Sequence, residues 1–227
     1  MSCTSATTSS SCSVPMSEHA SNDAVRANLW WLLSRAFCCP RDMDGSEPGR
    51  LMALSEQLMP QLRSRATRLA EQWQAGLADA QPMLLAYARL FLGPFEILAP
   101  PYASFYLEPD QRLMGPISVS VAEAYADAGL EPGPGPREAP DHVSLEFEFL
   151  YYLTHRTLTS EQPHWARLRS RFAHTHMAAW IPRLGSMIVH AETHPFYNEL
   201  GALLAESADD PSMLFGPADC PASGRDT

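Results

Sequence analysis

Apolar residues recur at helical spacing along most of this chain. Leu29, Leu32, Leu33 and Ala36 fall on one face of a helix running from Asp23, which can cap it, to Phe37, with Cys38-Cys39-Pro40 as the stop. From 47 to 80 the spacing predicts two helices broken near Pro60, the first carrying Leu51, Leu54 and Leu58, the second Leu62, Leu69 and Trp73. Pro82 opens another, in which Leu84, Tyr87, Ala88 and Phe91 share a face. Gly93-Pro94 ends it, with glycine past the last turn and proline beyond. A short helix over 117–129 closes at Gly129. Two more cover about 163–192, bent at Pro182, and from Pro195 to about Glu206.

The stretch 142–154, "HVSLEFEFLYYLT", fits two periods. Val143, Leu145, Phe147 and Phe149 alternate with polar residues as in a strand, while Val143, Phe147, Leu150, Tyr151 and Thr154 fit one helical face. No other segment offers a partner strand, and an isolated strand cannot satisfy its backbone. The expectation is a central helix, buried nearly all round. The fold class is therefore all-α, a single helical-bundle domain of about nine helices. Two long irregular loops interrupt it, 93–116 and 130–140. The first is rich in proline yet carries Phe95, Tyr102, Phe105 and Tyr106. Loops of that length inside a compact domain are usually functional or disordered, and this one is too aromatic for disorder.

Composition narrows the function. The domain spans 22–208, flanked by a Ser/Thr-rich tail over 1–21 and a C-terminal tail over 209–227, both expected to be disordered. A net charge of −10 argues against a general nucleic-acid binder or a binder of anionic membranes. All 16 basic residues are arginine, so classes that need a lysine, such as P-loop enzymes and Schiff-base enzymes, are excluded. The 5 cysteines form no C-x-x-C pair, which fits a reducing compartment. No stretch reads as a secretory signal, and no run reaches the roughly 20 apolar residues of a membrane span. The expected location is the cytoplasm.

Tyr87, Leu90 and Phe91 lie on one side of a helix. They are either core or, with the loop aromatics, the wall of a groove for an apolar peptide. Glu96, Glu108 and Asp110 would line its margin with carboxylates suited to arginines. Asp141, between Pro140 and a helix, is placed to cap that helix. It is also placed to orient His142 as an Asp–His pair. His174, His176, His190 and His194 have no metal-ligand spacing: the acid near His190 and His194 is Glu192, off the H-E-x-x-H positions. No metal and no cofactor is expected. An all-helical metal-dependent hydrolase built on the C-terminal histidines is the alternative, and a structural adaptor a third reading.

Tyr87-Ala88-Arg89-Leu90-Phe91 with Gly93-Pro94, then Ala99-Pro100-Pro101-Tyr102-Ala103-Ser104, then Glu138-Ala139-Pro140-Asp141-His142, resemble the TorD/DmsD family of redox-enzyme maturation chaperones, related to the NarJ group. The chain carries an aromatic-x-x-Leu-Phe motif and a Glu-x-x-Asp-His motif in the family's order, and the resemblance covers about residues 25–206. It implies a non-enzymatic, all-helical cytoplasmic chaperone. Such a chaperone binds the twin-arginine signal peptide and the apo form of a molybdenum-cofactor oxidoreductase, and delays export until cofactor is inserted. By motif position Tyr87, Leu90, Phe91, Phe95, Tyr102, Tyr106, Glu138, Asp141 and His142 inherit the peptide-binding roles. The resemblance also implies a monomer or a domain-swapped dimer, and weak guanine-nucleotide binding has been proposed in the family; with no P-loop in this chain, nucleotide is not expected to be essential. The client enzyme is left open.

Overall fold

In the computed structural model, residues 18–93, 96–131, 138–160 and 162–218 are described. The helices are α1 (Glu18–Ala36), α2 (Glu47–Ser55), α3 (Pro60–Ala78), α4 (Ala80–Tyr87), α5 (Ala103–Leu107), which falls inside the stretch 93–116 expected to be irregular, and α6 (Pro116–Asp127). They continue with α7 (Val143–Thr159), α8 (His164–Arg171), α9 (Ala178–Ala191), α10 (Pro195–Ala205) and α11 (Pro211–Phe215). Proline stands at or next to the first helical position of α2, α3, α6, α10 and α11. Its fixed φ suits that position, and its missing N–H has no intrahelical acceptor there anyway. Among the described residues the only β pairing is an isolated antiparallel bridge between Tyr102 and His142. The fold is all-α.

One core runs through the bundle. α7 lies along α1, α3 sits between α2 and α10, and α9 packs on α10. Trp30, Leu33, Phe37, Trp73, Phe147 and Trp180 are among its fully buried side chains. The α9–α10 crossing is close because each helix puts a glycine there. A Cβ on Gly185 would lie 2.5 Å from the Ala205 nitrogen, and one on Gly201 2.8 Å from the Gly185 oxygen. An alanine at either position must push the helices apart.

Several expectations are corrected. α1 starts before Asp23, at Glu18, so Asp23 is no cap; its carboxylate instead pairs with Arg26 and Arg169. The 142–154 stretch is a helix, but it is not buried all round. Glu148, Tyr151 and His155 form an exposed stripe opposite Leu150 and Leu153. The irregularity between 163 and 192 is a π-helical segment, Phe172–Met177, and Pro182 sits inside α9 beyond it. Residues from 209 onward do not behave as a tail as far as Phe215. Asp210 caps α11 by accepting the Ser212 N–H at 2.9 Å, and Met213, Leu214 and Phe215 are buried. The Trp30 indole donates to the Leu214 carbonyl at 3.1 Å. That apolar triplet, inside an otherwise polar end, is what holds the segment down. The rest of both expected tails lies outside the described residues.

Candidate functional site

The first loop begins in a π turn, Ala88–Leu92. Bonds in such a turn reach five residues back, so the register slips by one relative to an α-helix. The Gly93 N–H closes on the Ala88 carbonyl at 2.7 Å, and the returning loop takes the next two carbonyls. Leu98 donates to Arg89 at 3.4 Å and Ala99 to Leu90 at 2.9 Å. Gly93 is required here: its φ is +33°, and a Cβ would run into the Glu96 carbonyl.

This geometry decides what the aromatic-x-x-Leu-Phe motif does. Leu90 and Phe91 are buried, with Phe91 edge-on to Phe37, Tyr87 and Tyr197 at centroid distances of 5.4–5.6 Å. Of the two readings, core packing describes them in this structure. Tyr87 is the half-buried member of the motif, and burial pushes its phenol up to about 12, helped by the nearby charges of Cys39, Cys38 and Glu138. Phe95 lies outside the described residues.

The Tyr102–His142 bridge joins the loop to the start of α7. Val143 N–H donates to the Pro101 carbonyl at 2.9 Å and Ala103 N–H to the Asp141 carbonyl at 3.0 Å. The Tyr102 ring meets His142 edge-on at 5.3 Å, and its hydroxyl donates to Glu138 Oε1 at 2.9 Å. Tyr102 is half-buried and Glu138 exposed, so this pair forms a lip. Burial, and then the bond to Glu138, raise the Tyr102 phenol well above its usual range.

Asp141 does not cap α7. It is fully buried, and its two oxygens accept the Ser104 N–H of α5 at 2.9 Å and the Ser118 hydroxyl of α6 at 2.7 Å. It therefore caps α5 from across the fold. α6 is capped at its start by Glu108, whose Oε1 accepts the Ile117 N–H at 2.7 Å, so Glu108 is structural rather than a free margin acid. α7 is capped by His142, whose Nδ1 accepts the Ser144 N–H at 3.3 Å and lies 2.7 Å from the Ser144 hydroxyl. Asp141 and His142 thus form no side-chain pair. Burial lowers the His142 pKa, and the charges of Glu138 and Asp141 only partly oppose it. The ring is held neutral.

Tyr106 is buried, stacked on Trp180 at 5.5 Å, and its carbonyl accepts from Arg183. It belongs to the wall behind the loop rather than to an open surface. The nine residues named from sequence are thus divided. Tyr102, Glu138 and His142 meet at one place with Tyr87 within electrostatic reach, Asp141 braces them, Leu90, Phe91 and Tyr106 are core, and Phe95 lies outside the described residues.

Glu146 escaped the sequence reading. It is fully buried on α7, with Oε1 2.7 Å from His176 Nε2 and Oε2 accepting the Trp180 indole N–H at 3.1 Å. Burial disfavours the imidazolium, but the charge and hydrogen bond of Glu146 more than offset it and raise His176. The available signal was Glu146 sharing a face with apolar residues, one turn from Leu150. The other C-terminal histidines are scattered. His190 bonds the Ser186 carbonyl at 2.7 Å, and His194 caps α10. Among the described residues no group of three or more His, Cys, Asp or Glu side chains could hold a metal. No helix among them is long and apolar enough to cross a membrane.

Residues 54–185 match the family described as "Nitrate reductase delta subunit". The chain is 31% identical over 107 residues to a Chaperone protein TorD of a Psychrobacter species, covering 46% of this chain and 48% of that one. It is 26% identical over 118 residues to the Tat proofreading chaperone DmsD of Salmonella typhi, covering 52% and 54%. It is 26% identical over 201 residues to a Chaperone protein TorD of Aliivibrio fischeri, covering 83% and 94%. The match spans about half the length of the first two relatives and nearly all of the third. The chain belongs to the nitrate reductase delta subunit family and is similar to the chaperones TorD and DmsD.

Proposed function

We propose that this protein binds the twin-arginine signal peptide of a molybdenum-cofactor oxidoreductase in the cytoplasm, shielding the apoenzyme and delaying export until cofactor is inserted. The observation that carries this reading is the lip where the first loop meets α7. There Tyr102 offers a half-buried ring bonded to the exposed carboxylate of Glu138, with the half-buried Tyr87 within electrostatic reach, on a support tied down by Asp141. Aromatic faces bury apolar peptide at low entropic cost, and an acid at the margin selects arginine. Leu92, exposed at the end of the π turn, extends the apolar surface. Apolar burial would supply most of the affinity and the arginines register and discrimination, so salt should weaken binding only in part.

The test is calorimetric titration with a peptide carrying two consecutive arginines and an apolar stretch. One control replaces the apolar stretch by Ser and Gly, and another replaces the arginines by Gln. The signal peptide should bind at tens of micromolar or tighter and both controls more weakly. Leu92→Ser should weaken it without unfolding the protein. Equal binding of all three peptides would reject the reading.

A further inference from the structure

Toward the start of α1, residues of α1, α8, the π segment and α11 line a cavity of about 170 Å³. Asp23, Arg26, Arg169, Ser170, His174 and Phe215 line it. Asp23 divides its two oxygens between the arginines, 3.2 Å to Arg26 and 2.7 Å to Arg169. Two guanidiniums thus share one carboxylate, and Asp23 is the only carboxylate that lines the cavity among the described residues. The local charge is positive in a chain whose net charge is −10. Both arginine side chains are largely shielded, 16% and 13% exposed. Burial of a cation without a full counter-charge is costly. Burial, and then the charge of Arg169, act to lower the Arg26 pKa against the pull of Asp23, which is the strain expected of an incompletely balanced pair.

The arginines are also held in place. A Cβ on Gly216 would lie 2.7 Å from Arg26 Cζ, so the chain leaving α11 runs against that guanidinium. Each bond to Asp23 engages one nitrogen of a group that carries five donors. Fixed guanidinium forks are the side chains best matched to bidentate recognition of phosphate-type oxyanions. A cavity near 150 Å³ takes a benzene-sized guest, so the volume admits a phosphate group with room to spare. His174 adds a ring nitrogen and Phe215 an apolar wall. A purely structural tie of α1 to α8 would need one arginine, not two, and no cavity beside it.

We propose that this cavity is a binding site for a phosphate-type oxyanion, held by Arg26 and Arg169 with His174 at its side. The ligand is either free phosphate or the terminal phosphate of a small phosphomonoester. The experiment titrates the full-length protein with inorganic phosphate and with glycerol phosphate, followed by calorimetry and ³¹P line broadening, against chloride at matched ionic strength. One saturable equivalent is expected, at least tenfold weaker in Arg169→Gln and severalfold weaker in His174→Gln. The second variant leaves the Arg–Asp–Arg group intact and carries the test alone if the first does not fold. Tighter binding of the monoester identifies a phosphorylated small molecule as ligand, and tighter binding of inorganic phosphate identifies the free ion. Phosphate indistinguishable from chloride, or unchanged affinity in every folded variant, overturns the proposal.

Discussion

Asp141 and Glu146 are both fully buried carboxylates at the start of α7, and the fold treats them differently. Asp141 rests on a backbone N–H and a serine hydroxyl, donors that do not titrate in the physiological range. Glu146 rests on a histidine and an indole, so half of its support depends on a proton that can leave. Asp141 reaches outward to α5, in the loop that carries Tyr102 of the lip, and to α6. Glu146 reaches inward to the π segment and α9. A buried acid held by dipoles is a constant brace, and one held by an ionisable partner couples the core to pH. The candidate site stands on the constant kind.

The comparison can be broken most forcefully at Glu146. Glu146→Ala leaves His176 and Trp180 facing a buried void and should cost about 3–5 kcal/mol in denaturant unfolding. Glu146→Gln should recover much of this, because an amide can accept from the indole and donate to a neutral imidazole. A cost for Glu146→Ala below about 1 kcal/mol would show that the pair contributes little.

Asp141→Ala comes next, at about 2–3 kcal/mol, since it strands the Ser104 N–H and the Ser118 hydroxyl away from water. Hydrogen exchange should speed up first in α5 and α6. Asp141→Asn should cost only about 1 kcal/mol: its carbonyl oxygen can face Ser104 while its NH₂ donates to Ser118 Oγ. Any loss of peptide affinity in Asp141→Asn at unchanged stability would give the charge itself a role in binding.

pH separates the two acids directly. The folded-state pKa of His176 is raised above an unfolded value of about 6.5, so the folded protein holds this proton more tightly. The resulting stability is fully present below about pH 6.5 and is lost as pH rises through the raised folded value. Thermal midpoints of the wild type should therefore fall across that window. His176→Gln should flatten the fall, whereas Asp141→Asn, which removes only the smallest of the charges that raise His176, should move the fall slightly toward lower pH.

The smallest effect belongs to the lip. Glu138→Gln, at an exposed position, should change stability by no more than about 0.5 kcal/mol. Its affinity for the arginine-bearing peptide should nevertheless drop a few-fold, and the drop should shrink in high salt. Tyr102→Phe, which removes the hydroxyl bonded to Glu138, should behave similarly. A brace and a contact are thus distinguished by which measurement moves.

Much of the bundle was legible in the chain because helical periodicity is local. Leu29 to Ala36, the breaks at Pro60 and Gly93-Pro94, and the start at Pro195 all follow from spacing and from what proline and glycine permit. The order of motifs likewise pointed to the correct family. Three-dimensional packing decided the rest. Periodicity placed Tyr87, Leu90 and Phe91 on one side of a helix, but only the neighbouring Phe37 and Tyr197 showed that this side faces the core. Proximity in sequence suggested that Asp141 caps its own helix. The partners it bonds are Ser104 and Ser118, brought near by the Tyr102–His142 bridge. Its spacing from Leu150 set Glu146 apart from the surface acid Glu148, but the partners that make it a buried anchor, His176 and Trp180, lie far along the chain. Arg26 and Arg169 are separated in the same way and meet only across Asp23. Backbone preference and side-chain period act over a few residues and are written in the sequence. The partner a buried polar group finds depends on which distant segment desolvates it, and the tertiary fold alone determines that.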